Sequence, residues 1–440
     1  MECSKKSVVK IIAIVLYKFL YKIGGFIRNP SIKKHLIFLE KSNGWSSDKL
    51  KEYQLQKLKE IVAFAFENSS FYKSHFLSNN FHPSDIKELN NLKDIPILEK
   101  IDLINNNAKI HTNFKGKTFT AITSGSSGQS LSFQRDESAD SFNRATIQKD
   151  YLWYGVYPWQ LNGYFWGFNF NFLKKNKTII LDFLQNRFRI FNYNSYNLKR
   201  FVKKLNKATY IHGYSSMIYQ TAKLINKRGL LKPKGIKMVK GTSEKIFKNY
   251  HDEVIKAFGS KIISEYGATE TGVIAFECPE GNMHINMEGV LVEEIDHEIV
   301  VTNLQMKSFP IIRYKLGDYI ELESDLKKCK CGRNHRILKE VTGRVGLPIY
   351  GKSEIYPSLT FYYIFKNLDF HNSLKLNYQI IQKEKGILLV KIEQKLTNEQ
   401  IKKLHAEFVK YFGNDIQYTL EDEYILQSNE GKLKSFISHL

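Results

Sequence analysis

The sequence predicts an α/β protein in which a large N-terminal domain is followed by a small α+β one. Three observations lead there. Strand-like and helix-like stretches alternate between Thr209 and Ser264, a breaker cluster resets the pattern after Val341, and 440 residues exceed the ~250 to 300 at which a single core stops growing. Hydrophobic residues make up 42% of the chain and charged residues 25%, a globular balance that excludes a long disordered or collagen-like tract.

The N-terminal stretch Val8 to Ile27 is apolar but interrupted by Lys10, Lys18 and Lys22. Its longest uncharged run, Ile11 to Tyr17, falls far short of the ~20 residues a spanning helix needs, and the lysines also break the pattern of a secretory signal. Residues 1–45 therefore read as a basic amphipathic segment. Residues 1–30 would either lie on an anionic membrane surface or pack on the protein itself. Leu50, Leu55, Leu58, Ile61 and Val62 recur at helical spacing and predict a helix from Ser47 to Asn68. Around Pro96 the chain reads as loop, then short helix. Thr118 to Ile122 and Leu131 to Gln134 read as strands around a turn of small residues.

Aromatic residues crowd Tyr151 to Phe172, as a packed core segment would require or as the lining of an apolar or sugar-stacking pocket. Next come a helix (Tyr196 to Leu205), a strand (Thr209 to His212), a helix (Met217 to Lys227), a strand (Ile236 to Val239), a helix (Lys245 to Phe258) and a strand (Lys261 to Ser264). Such alternation implies parallel pairing. Past Gly343, Gly346, Pro348 and Gly351, strand-like Leu374 to Ile381 and Gly386 to Glu393 precede a helix from Asn398 to Phe412. The expected division is thus 1–45, 46–343 and 344–440, with the last two joined near Arg344.

Lys and Arg outnumber Asp and Glu by 66 to 44, a net +22 that draws anions. The charge is spread along the chain rather than gathered in a stripe, so no nucleic-acid partner is expected. Four cysteines in so long a chain make no disulfide framework, which places the protein in the cytoplasm.

Two stretches carry chemistry. Thr123-Ser124-Gly125-Ser126-Ser127-Gly128 sets hydroxyls and backbone amides between two strands, where glycines let a polyphosphate approach. It lacks the Gly-Lys-Ser/Thr ending of a Walker loop, and an ordinary hairpin has the same composition. In Ser264-Glu265-Tyr266-Gly267-Ala268-Thr269-Glu270-Thr271-Gly272 a strand runs into an aromatic, a hydroxyl and a carboxylate. Tyr266 could stack on a base, Thr269 bond a phosphate and Glu270 hold Mg²⁺; a plain turn is the alternative. Separately, Cys278-x5-His284 and Cys329-x-Cys331 supply the thiolates and imidazole of a tetrahedral zinc site, with His335 as a substitute ligand; reduced loop cysteines are the other reading.

In this order, about 140 residues apart, the two stretches resemble those of the adenylate-forming ligase superfamily, and most of all its phenylacetate:CoA ligase-like branch, which includes capsule-biosynthesis ligase-like proteins. The resemblance runs from about Trp45 to the end of the chain. It implies a large multi-sheet adenylation domain and a small mobile C-terminal domain that swings about Arg344. In Phe309 to Asp318 it assigns Asp318 to the ribose hydroxyls, whereas an Arg313–Asp318 ion pair is the alternative. Arg344 would contact the nucleotide, Ser243 and Glu244 would lie near the adenine, Gly267 would be among the cofactor-binding residues, and Lys432 would reach the α-phosphate from a mobile loop. His212, Gly213, Tyr214 and Ala268 would line the acyl pocket. The branch also carries a structural zinc where the Cys/His set falls.

The chain departs from the family pattern in three places. Gln129-Ser130 replaces a common Lys-Pro, Val345-Gly346 stands where an Asp-containing hinge is usual, and Lys434 replaces an arginine. The implied activity is ATP- and Mg²⁺-dependent conversion of a carboxylic acid to an acyl-adenylate, then transfer to CoA. Two other readings stay open: transfer to a sugar, amine or protein acceptor in surface-polysaccharide biosynthesis, and a non-catalytic adenylate-binding or basic peripheral membrane protein.

Overall fold

The computed structural model describes residues 2–440 without 124–129, 166–171, 191–194, 244–245, 247, 344–347, 357–358, 375, 377 and 425–435. Residues Met1–Ala121 with Ser132–Gly343 form one unit, and Ile122–Leu131 with Arg344–Leu440 form a second.

Four helices open the chain: α1 (Glu2–Arg28), α2 (Ile32–Ser42), α3 (Ser47–Asn68) and α4 (Ser70–Ser78). Ser46 caps α3 by accepting from the Lys49 amide at 3.3 Å, and Leu50, Leu58, Ile61 and Val62 are buried along one face, the spacing that predicted the helix. The first 45 residues are built into the first unit rather than standing apart. Asn29 donates to Asp140 (2.9 Å), Ser31 to Glu137 (2.7 Å) and Ser42 to Glu288 (2.5 Å).

Short helices α5 (Lys100–Asn105) and α6 (Asn107–Ile110) precede the hairpin of β1 (Thr118–Ile122) and β2 (Ser132–Asp136), after which α7 (Glu137–Leu152) begins. The alternating region follows: β3 (Asn162–Phe165), α8 (Phe172–Leu184), β4 (Arg187–Arg189), α9 (Ser195–Leu205), β5 (Tyr210–Tyr214), α10 (Ser215–Lys227), β6 (Met238–Thr242), α11 (Lys248–Phe258) and β7 (Ile262–Ala268). Its strands pair in parallel in the order β4-β3-β5-β6-β7, as alternation requires. Six antiparallel strands extend the same sheet to eleven: β8 (Gly272–Glu277), β9 (Met283–Ile285), β10 (Val290–Ile295), β11 (Glu298–Asn303), β12 (Tyr314–Leu322) and β13 (Ile337–Gly343).

The parallel strands β5, β6 and β7 run two to four residues further than their apolar runs, ending at Tyr214, Thr242 and Ala268. Apolar runs mark only the stretch that helices cover. Backbone pairing continues past it, because a ladder needs amides and carbonyls rather than apolar side chains. Ile211, Val239 and Ile262 form that covered stretch, packed against Phe201 and Leu205 of α9, Ile218 and Ile225 of α10, and Val254 and Phe258 of α11.

The second unit holds β14 (Ile349–Tyr350), β15 (Ile355–Tyr356), α12 (Leu359–Asn372), β16 (Tyr378–Glu384), β17 (Ile387–Ile392), α13 (Asn398–Phe412), β18 (Gln417–Glu421) and β19 (Phe436–Ser438). A four-stranded sheet of order β18-β17-β16-β19 shares its core with α12 and α13. Thr397 and Gln400 form a reciprocal capping box at the start of α13, readable in the sequence as Thr-x-x-Gln.

Candidate functional site

Strand register gathers three of the motifs. Gly213 of β5 lies opposite Gly241 of β6, and Tyr214 opposite Thr242; Gly241 in turn faces Ser264 of β7, and Thr242 faces Glu265. His212 to Tyr214, Gly241 to Ser243 and Tyr266 to Glu270 therefore stand side by side at the carboxyl ends of three neighbouring parallel strands. Open α/β sheets take their ligands there, because the strands end and the connections diverge. The backbones press together closely. A Cβ at Gly213, which has φ +139°, would lie 2.2 Å from the Phe165 carbonyl oxygen, so no other residue fits. Ser243 closes β6 with φ +66°, a left-handed conformation that costs a non-glycine residue ~1–2 kcal/mol.

The turn after β7 is braced from several sides. Arg135 donates to the Thr269 carbonyl, Asn303 to the Thr271 carbonyl (3.1 Å), and Asn143 accepts from the Val273 amide (2.8 Å). At Gly267 a Cβ would meet the Gly272 carbonyl oxygen at 2.5 Å, so the turn folds tightly back on β8. Glu270 and Thr271 are buried within it, while Thr269 is half-buried. Arg135, Asn143 and Asn303 were not singled out from the sequence. Each is an ordinary polar residue in its own element, and nothing local shows that it faces this turn.

Tyr266 donates its hydroxyl to Asp318 Oδ2 at 2.7 Å, joining β7 to β12 across 52 residues of chain. Arg313 does not pair with Asp318. Its guanidinium takes Glu293 (3.0 Å) and the carbonyls of Lys93 and Ile95 instead. The intrachain ion pair that sequence proximity allowed is thus absent, and Asp318 faces the tyrosine.

His212 is enclosed by aromatic rings, with Tyr164 at 4.5 Å and Tyr210 at 5.2 Å between centroids, and its Nε2 lies 3.1 Å from Asn162 Oδ1. Beside it the buried Lys240 pairs with Glu265 at 2.7 Å, and Arg187 and Arg189 both bind Asp182. Burial, with Lys240, Arg187 and Arg189 adding to it, holds His212 well below the ordinary imidazole range. The folded chain therefore keeps this ring neutral while the unfolded chain takes up a proton near pH 6.5, so stability should fall as pH drops below that value. The expected slope from this group is up to ~1.4 kcal/mol per pH unit. Denaturant unfolding at several pH values on wild type and His212→Asn checks it; equal slopes would reject a neutral buried ring.

A second cluster lies elsewhere in the first unit. Cys278 follows β8, His284 sits in β9, and Cys329 and Cys331 lie in the loop between β12 and β13. Their ligand atoms all lie within 4.8 Å of one another. Cys278 Sγ and Cys329 Sγ are 3.7 Å apart, too far for a disulfide and close to the roughly 3.8 Å between two thiolates on one tetrahedral zinc. Cys331 Sγ is 3.2 Å from His284 Nε2, and His284 Nδ1 donates to the His335 carbonyl at 3.1 Å, turning Nε2 toward the sulfurs. Burial pushes the Cys278 thiol up to about 12 and brings His284 down to about 4, so a neutral imidazole is ready to coordinate and the Cys278 thiolate needs a cation beside it.

His335 is not a spare ligand. Its side chain binds the fully buried Glu288 at 3.0 Å, and only its carbonyl touches the cluster. Burial raises the Glu288 carboxyl, but His335, Lys149 and the hydrogen bonds from His335 and Ser42 outweigh that and hold it well below the usual carboxylate range.

In the second unit Thr123 is buried at the start of the Ser/Gly turn and closes it. Its amide donates to the Leu131 carbonyl (2.9 Å) and its hydroxyl accepts from the Leu131 amide (2.8 Å). Ser124 to Gly128, Glu244, Arg344 and Lys432 lie outside the described residues.

The fold is that of the adenylate-forming acyl-CoA ligases. The chain is similar to 2-hydroxyisobutyryl-CoA ligase solved in its thioesterification state with 2-HIB-AMP and CoA, with a TM-score of 0.63 and 16% identity over 91% of this chain and 92% of that one. The same ligase in its postadenylation state with 2-HIB-AMP gives a TM-score of 0.59, again at 16% identity, over 91% of both chains. In sequence the chain is 28% identical to protein CapK of Staphylococcus aureus over 288 residues, 62% of this chain. That match spans 64% of CapK, less than two thirds of its length. No protein-family model matches the chain.

Proposed function

We propose that this chain activates a carboxylic acid with ATP as an acyl-adenylate and passes the acyl group to the thiol of CoA. The observation that carries the proposal is the shared strand edge. His212 to Tyr214, Gly241 to Ser243 and the Tyr266 to Glu270 turn come from three separate strands, yet they line one edge, with Asp318 held against Tyr266.

A carboxylate is a poor electrophile because its charge is delocalised. Attack by its oxygen on the α-phosphate of ATP expels pyrophosphate and leaves the acyl group bonded to AMP, a good leaving group. Charge grows at the α-phosphate during that attack, so fixed donors there matter most. In this reading Lys432 reaches the α-phosphate, and Thr123 to Gly128 with Thr269 grip the polyphosphate. Asp318 accepts from the ribose hydroxyls, Tyr266 and Gly267 flank the base with Ser243 and Glu244, and Arg344 contacts the nucleotide. His212, Gly213, Tyr214 and Ala268 shape the acyl pocket. Glu270 would hold Mg²⁺, which neutralises phosphate charge when bound. The thiol then attacks the acyl carbonyl and AMP leaves; withdrawal of Lys432 by a swing near Arg344 would open its path. Cys278, His284, Cys329 and Cys331 fill all four positions of a tetrahedral zinc, so this metal would hold the fold and leave no place for a reacting water.

The test is pyrophosphate exchange into ATP driven by a panel of carboxylic acids, followed by thioester detection with CoA. Exchange with no acid in a broad panel would overturn the activation step. Exchange without thioester would overturn the acceptor. A second reading then takes over, in which a sugar or amine in surface-polysaccharide assembly accepts the acyl group. The outward apolar and basic face of α1 favours that reading.

Asp318→Ala should raise the KM for ATP about 10- to 100-fold, the worth of one or two charge-assisted hydrogen bonds, with a smaller change in kcat. Tyr266→Phe should move KM less, since it keeps the ring and removes only the hydroxyl that steadies the carboxylate. Unchanged KM in Asp318→Ala would remove the ribose role.

A further inference from the structure

We infer that α1 and α8 together form a docking surface for an anionic lipid bilayer. On α1 the residues Ile12, Val15, Phe19, Ile23, Phe26 and Ile27 recur at spacings of three and four, which places them on one face of the helix. All are exposed, Phe26 and Ile27 at 70%. The opposite face fastens the helix to the body of the unit. Tyr17 meets Phe183 and Tyr21 meets Trp159, each at 5.9 Å between ring centroids, and Lys117 binds the carbonyls of Ile27 and Arg28. α1 therefore cannot roll its apolar face inward without giving up these contacts.

α8 continues the surface next to it. Ile180, Phe183 and Leu184, again at spacings of three and one, are exposed at 61%, 64% and 41%, and Phe183 is the residue that touches α1. Exposed apolar groups on two adjoining helices make a patch that water disfavours, and such patches mark an interaction surface.

Charge selects the occupant. Among the described side chains of α1, Lys18, Lys22 and Arg28 are basic and exposed, and none is acidic. On α8 Lys175 and Lys177 are exposed, and its single acid, Asp182, is buried between Arg187 and Arg189. A second copy of the chain would set this cationic face against itself, whereas an acidic leaflet complements it. Among the described residues no helix is long and apolar enough to cross a membrane, so α1, about 40 Å long, would lie in the plane of the leaflet with its apolar face down. The surface includes none of the residues assigned to nucleotide, acid or zinc.

The test is flotation of the full chain with vesicles of phosphatidylcholine alone or with about one third phosphatidylglycerol, a charge at which such surfaces attract basic segments. Binding should need the anionic lipid and weaken steeply with salt. Lys22→Gln should lower the partition coefficient about fivefold. The pairs Phe19→Ser with Phe26→Ser, and Ile180→Ser with Phe183→Ser, should each lower it at least about tenfold. Unchanged thermal melting and pyrophosphate exchange in solution would show that folding and chemistry are intact. Three results would overturn the inference: no binding of wild type to anionic vesicles, full binding by the α8 pair, or a lipid-free dimer that the same substitutions dissociate.

Discussion

Lys432→Ala should lower acid-dependent pyrophosphate exchange by about 10² to 10³-fold, the range found when one preorganised donor is taken from a developing oxyanion. The size follows from where charge appears. The α-phosphate gains negative charge only as the carboxylate attacks, so a cation placed there stabilises the transition state more than bound ATP, and kcat should fall with little change in the KM for ATP. A lysine that merely sat on the surface would leave exchange within threefold or so, since exposed charges are worth little. The second half-reaction supplies the control. Given a preformed acyl-adenylate and CoA, Lys432→Ala should still make thioester, which separates a lost adenylation step from a lost fold.

Removal of the metal should be the largest effect on stability. Purified protein is expected to carry one zinc, and Cys278→Ser or Cys329→Ser should lose it along with about 10 °C of melting temperature. Both sulfurs are buried and 3.7 Å apart, so without a cation one of them must stay protonated beside the other. The loss should be smaller than the ~10–16 kcal/mol at stake in isolated zinc fingers, because pairing of β9 with β8 and β13 already holds His284 in place. Elemental analysis and melting with and without a chelator measure both quantities. Metal-free wild-type protein that melts unchanged with chelator would leave three reduced cysteines beside a histidine.

Local signals carried a large part of the fold. The α3 helix is set by its apolar spacing and by Ser46, and α13 by its Thr397 and Gln400 box, so both ends of each fall where the sequence puts them. The alternation of strands and helices predicts β5, β6 and β7, whereas β3 and β4 carry no such signal in the sequence. The six antiparallel strands from β8 to β13 were not itemised from the sequence, because their apolar runs are short and bulges shift their register at β11–β12 and β12–β13. The Cys/His set was legible as four residues able to take a metal, but not as a site with its own support. Only coordinates show that His335 serves Glu288 with its ring and His284 with its carbonyl.

Residue order alone was enough for α3, α13, the alternation from β5 to β7, the aromatic and acidic turn after β7, and the thiol and imidazole inventory, since each signal is written within a short stretch of neighbouring positions. Partnership was settled by packing: Tyr266 with Asp318, Arg313 with Glu293, Arg135 under Thr269, and α1 beside α8 with apolar faces outward. Backbone propensity acts over a few residues, whereas these pairs depend on strand register and helix placement that the whole sheet decides at once.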